Sequence, residues 1–226
     1  MSKVRFEGRP SWRLSVSDDG DLDLLLWVRD ALGLVVAAHD APPRCEPGPP
    51  DRSALIPADA RDAAASRWAV WWRAALAFEA AGRREEPPRG EDAFLGWVRA
   101  RSVGRDAVGS PPAFAALDDV PALRDAVARL FPEAHRALAE REAGRAELLH
   151  RRTAADDRRA LAADVARTHG VGIGDVRGAV LVVPVAGPWW RVAAPGAVVC
   201  SASAYVDDAA FAAEVVRAAF ESGLRA

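Results

Sequence analysis

The chain has 226 residues, half of them hydrophobic and 27% charged, which is the balance of an ordinary globular protein. Its net charge of −2 supplies no electrostatic footprint for nucleic acid or an anionic membrane. No apolar run approaches the ~20 residues of a membrane span, and the opening residues 1–7 lack the apolar segment of a secretory signal, so a cytoplasmic location is expected.

Residue usage excludes further chemistry. There is no Asn or Gln, and Lys3 is the only lysine, a bias that fits a high-GC bacterial genome. Without an internal lysine there is no phosphate-loop lysine, no Schiff base and no Ser-x-x-Lys dyad. The single tyrosine, Tyr205, has no lysine after it to make a dehydrogenase pair. Cys45 and Cys200 lie too far apart in sequence to read as a disulfide framework.

In chain order, Val4 and Phe6, then Trp12, Leu14 and Val16, alternate with polar residues at the period of a half-buried strand. Residues 18–21 read as a turn. Residues 22–38 fit a strand continuing a hairpin, or a helix capped by Asp21. Length favours the helix, with Leu25, Val28, Leu32, Val35 and Val36 on one stripe and Asp23 and Asp30 elsewhere. Residues 42–50 form a proline-rich loop, expected to be extended and exposed, that carries Cys45.

The stretch 58–81 is expected to be the organising helix. Pro57 suits a first helical position, Asp59 and Asp62 put negative charge on the opening turn, and Gly82-Arg83-Arg84 makes a stop. Trp68 and Trp72 share one face; Trp71, Ala75 and Phe78 share a second, roughly 100° away. Each indole can bury about 150–250 Å², so these rings are expected to anchor a core rather than line an aromatic cage.

A short helix is expected next, with Phe94, Trp97 and Val98 on its apolar side, then an irregular stretch over 104–119. Helices follow over 120–131, 133–151 and 155–169, the first two separated by Pro132. The tail reads as strands over 179–185, 189–193 and 197–204, and a last helix over 208–222 whose Phe211, Val215, Val216 and Phe220 cover a sheet. The expected class is α+β: a single, mostly helical domain spanning 1–226, with loops near 41–56, 83–91 and 104–119. Its small antiparallel sheet comes mainly from the meander over about 179–204.

Candidate chemistry is sparse. Six acidic pairs could serve acid–base or cation chemistry, yet four sit at expected helix starts, where carboxylates meet orphan N–H groups, and two in loops. Glu147 and His150 have the Glu-x-x-His spacing of di-metal bundles but no second copy. The glycines of 170–178 follow a helix and lead into a strand, the reverse of a dinucleotide loop, so Gly170 is read as a helix stop. The same stretch, about 161–180, fits a permissive helix-turn-helix pattern, opposed by three glycines in the second helix and by His169 at an apolar position. Neither cysteine has the setting of a nucleophile.

These exclusions leave an expectation of a non-catalytic, cytoplasmic interaction or regulatory protein acting through a protein partner or self-association, with no cofactor and no metal. The alternatives are a DNA-binding regulator through about 161–180 and an enzyme using Asp, Glu or His in a cleft. Trp189 and Trp190 are adjacent in an expected strand, so their rings must point to opposite faces. One enters the core; the other is buried only if a second layer covers the far face. With Arg191 next in sequence, they form the expected partner-binding site.

Overall fold

The computed structural model describes residues 11–18, 20–36, 41–85, 88–108, 111, 113–155 and 158–224. Val4, Phe6, His39, Asp156 and Asp157 lie outside these residues, as do the side chains of Glu147 and His150. Seven helices and four strands among the described residues make an α+β fold.

The strands are β1 (Arg13–Asp18), β2 (Arg177–Val183), β3 (Trp190–Ala194) and β4 (Ala197–Ser201), in the order β1-β2-β4-β3. The sheet is mixed, not the expected antiparallel meander: β1 and β4 both run parallel to β2, and only β3 is antiparallel, to β4. The physical reason is burial on both faces. Residues 179–183 and 197–200 are apolar without a break, and every one of them is buried, the pattern of parallel strands with a layer on each side. Ala179, Leu181, Val183, Ala197 and Val199 belong to one core, and Val180, Val182, Val198 and Cys200 to another across the sheet.

The first core is built on α1 (Gly20–Ala31), α2 (Arg61–Arg84) and the N-terminal half of α4 (Pro121–Ala155). In α1, residues 22–29 are all buried, Asp23 and Arg29 included, so the helix is wrapped on its whole circumference rather than along one stripe. It also stops sooner than the 22–38 expected. Gly33 has φ 62, and Leu34 N donates to Arg29 O at 3.0 Å and Gly33 N to Asp30 O at 3.1 Å, a Schellman stop that carries Val35 out into solvent.

Helix α2 starts after a 3₁₀ turn at Ala58–Ala60 and buries Trp68, Trp71 and Trp72 as expected. Trp68 and Trp72 stack with centroids 5.8 Å apart, and Trp71 meets Phe114 edge-on at 6.2 Å. Pro132 does not divide α4. The carbonyl it leaves without a donor belongs to Ala128, and both residues are exposed, so water can take the freed acceptor and the helix continues.

The second core lies under α5 (Arg158–His169), α6 (Ala202–Asp207) and α7 (Ala209–Leu224). Phe211, Val215, Val216 and Phe220 of α7 are buried there, as their spacing requires. Asp208 accepts from Ala210 N and Phe211 N at 2.8 and 3.1 Å, which accounts for one acidic pair as a helix cap. The last expected strand ends at Ser201, where α6 begins.

Candidate functional site

Trp189 and Trp190 point to opposite faces of the sheet: Trp189 packs on the α1–α2 core and Trp190 on the α7 core. Both rings are half-buried, because helices cover both faces. Trp190 Nε1 donates to Glu214 Oε1 on α7 at 3.1 Å, while Trp189 N donates to Ser201 Oγ at 3.2 Å. Arg191 is half-buried beside them. Strand β3 forms an edge of the sheet among the described residues, with Val192 45% exposed and a register shift between Val192 and Ala194 that blunts the edge.

A larger apolar surface lies on α3 (Glu91–Ala107), a full helix where only a short one was expected. It contributes no buried residue. Seven large apolar side chains are exposed among the described residues, and four are on α3: Phe94 at 43%, Leu95 at 44%, Val98 at 38% and Val103 at 69%. Phe94 and Trp97 stack at 6.0 Å. Of the expected apolar side, Phe94 and Val98 are turned outward while Trp97 is half-buried toward α2. The side facing α2 is Trp97, Arg101 and Gly104, spaced four and three residues apart.

That inner side was missed in the sequence. The Arg101 guanidinium lies 4.8 Å from the centroid of Phe78 on α2 and 5.6 Å from that of Trp97. The Trp97-x-x-x-Arg101 spacing, which puts a cation over a ring on one helix face, was the available signal.

The groups with chemical potential do not gather. A buried ionic knot joins α1 to the proline loop: Arg29 donates to Asp30 at 2.7 Å and to the carbonyls of Pro42 and Pro43 at 2.6 Å each, and lies 5.3 Å over the Trp68 ring. Asp30 in turn accepts from Cys45 N at 2.6 Å. The loop then reaches the end of β2, where Cys45 bridges Val185 and Glu46 N donates to Pro184 O at 2.9 Å. The loop expected to be exposed over residues 42–50 is so at Arg44, Glu46, Pro47, Gly48 and Pro50, but Pro42 and Cys45 are buried in it. Burial first, and Asp30 second, push the Cys45 thiol far up; burial alone does the same for Cys200. Neither is poised as a thiolate.

His135 stacks on Phe131 at 5.6 Å, and His169 lies 3.9 Å from Glu221 on the surface. No group of three or more His, Cys, Asp or Glu among the described residues could hold a metal ion. No helix among them is long and apolar enough to cross a membrane.

The helix-turn-helix pattern lacks its second helix. Gly170, at φ 65, stops α5 with Val171 N donating to Ala166 O at 3.0 Å. Ile173–Asp175 is a single 3₁₀ turn, and Arg177–Val183 is a central strand. The glycines oppose a helix there and favour the connector. Compared with family models, curated proteins and solved structures, the chain matches none.

Proposed function

We propose that the chain is a protein-interaction or regulatory protein that acts through a protein partner or by self-association, without chemistry of its own. One observation carries this reading: the exposed apolar side chains concentrate on α3, a helix that buries nothing in its own fold. Solvent-facing apolar residues are ordinary when scattered, and a cluster of them is the signature of a surface that another molecule covers. Phe94 and Leu95 are the anchors, since large apolar and aromatic groups dominate interface energetics.

Substituting both by serine tests the proposal. The double variant should melt with the parent, because neither ring nor leucine supports the core, and should lose self-association in sedimentation or the capture of partners. Unchanged association in both assays sinks the α3 reading.

Strand β3 supports a second surface, comprising Trp189, Trp190 and Arg191. The observation favouring it is the edge position with Val192 exposed. Trp189→Ser and Trp190→Ser separate packing from binding: one variant should fold normally yet lose association. If both unfold, this site is packing alone.

A further inference from the structure

We infer that α3 is a detachable strap, latched to α2 by Arg101, whose release uncovers the Phe78–Gly82 face of α2. Every other helix longer than one or two turns buries apolar residues; α3 buries none. What holds it is a stack of rings and charge. The Arg101 guanidinium rests against Phe78 from one helix and Trp97 from the other. Its Nη2 stands 3.8 Å from Oε2 of Glu79, a buried carboxylate on α2.

Two glycines make room for this arrangement. A Cβ on Gly82 would fall 1.7 Å from Arg101 Nη1, so the guanidinium lies directly over bare α2 backbone. A Cβ on Gly104 would fall 2.7 Å from Phe78 Cε2, so the Phe78 ring lies against bare α3 backbone. Further polar ties run from Trp97, whose Nε1 donates to Glu85 at 3.1 Å, and from the C-terminal end of α3. There Trp71 Nε1 donates to Val108 O at 2.7 Å and Arg105 donates to Asp21 at 2.6 Å. That end is the pivot.

Such a contact is weaker than a core. The cation–π contacts, the long 3.8 Å approach of Arg101 to Glu79 and the more exposed Arg105–Asp21 pair hold less than burying several aliphatic side chains would, so α3 opens below the free energy of global unfolding. Opening brings Glu79 and Phe78 to solvent and adds their surface to the outward patch of Phe94, Leu95 and Val98. The strap concerns the inner side of α3 and the interaction reading its outer side, the two meeting at the Phe94–Trp97 stack; exchange tests the first and association the second.

Hydrogen exchange read by mass spectrometry tests the strap on the full chain, with Arg101→Ala and Gly104→Ala as variants. Both substitutions raise intrinsic helix propensity, so faster exchange in α3 must come from undocking and not from a weaker helix. In the parent, α3 amides should exchange about a hundredfold faster than those of α2 and β2. Each variant should add about tenfold in α3 and leave α2 and β2 unchanged. The inference is overturned if α3 is protected as deeply as α2 in the parent. It is equally overturned if either variant leaves α3 exchange unchanged, or accelerates α3 and β2 together.

Discussion

Trp68 Nε1 donates to the main-chain carbonyl of Leu25 across 2.8 Å in the interior of α1. A buried indole N–H needs a partner, and here it finds one inside a neighbouring helix, which fixes how α2 lies across α1. With Arg29 above the same ring, Trp68 joins the two helices of the first core by contacts on its edge and its face.

Truncating the neighbouring indoles should be severe. Trp71→Ala and Trp72→Ala are each expected to cost about 3–5 kcal/mol through the cavity left in the first core. Urea unfolding of the two variants checks this; parent-like midpoints would mean that α2 does not hold the core.

The knot under the proline loop should be equally sensitive to loss of one charge. Asp30→Asn leaves the Arg29 guanidinium buried beside a neutral group, with a cost of about 3–5 kcal/mol by the usual penalty for an uncompensated buried ion. A smaller loss, under about 1 kcal/mol, would place the pair among exposed ion pairs in its energetics.

Gly33→Ala should shorten the life of the α1 stop. An alanine forced to φ 62 costs about 1–2 kcal/mol, and its Cβ would stand 3.3 Å from Ser53 Cβ. Thermal melting of this single variant measures it.

The thiols should be silent in the folded protein. Burial raises both well above the ordinary thiol range, so a disulfide exchange reagent at about pH 8 should label neither Cys45 nor Cys200 until denaturant is added. Rapid labelling of one thiol in the native state would show that its cover opens locally.

Acid should act partly through Asp164. The hydrogen bond from Arg217, then the charges of Arg217 and Arg167, hold this carboxyl below the usual carboxylate range. A folded pKa below the unfolded one contributes stability above the unfolded value, and that contribution disappears as pH falls through the folded value. Arg217→Ala should therefore lower the melting temperature slightly near pH 6, and the difference should vanish toward about pH 2. A difference that grows in acid has the wrong sign for this pairing.

Helical spacing made α2 and α7 legible in the sequence, because their apolar residues meet an interior in the order the spacing implies. The same spacing misled at α3. Phe94, Trp97 and Val98 look like a buried stripe, but a pattern of apolar residues does not say whether anything lies opposite. The order of the sheet was hidden for a different reason. Alternation in β1 shows a half-buried strand and the unbroken apolar run of β2 shows a covered one, yet neither names its neighbour in the sheet. Pro132 reads as a break unless the solvent position of Ala128 is known. For the tryptophan pair of β3, the pleat settled that the rings diverge, while the covering of both faces by helices lay beyond any local pattern.

The pairing of Arg13 with Arg177 has a consequence for how the molecule comes to exist. A ribosome must deliver nearly this whole sequence before β1 can meet β2, and β4 follows later still. Until then β1 has no parallel mate, and the helices made in between have no sheet to lie on. Long-range parallel pairing of this kind is slow and exposes edges to aggregation. Nascent chains arrested before residue 177 are accordingly expected to leave β1 open to protease, and chains extended past Ser201 to close it. Early protection of β1 would instead show that the helical layer holds the strand before its mate is made.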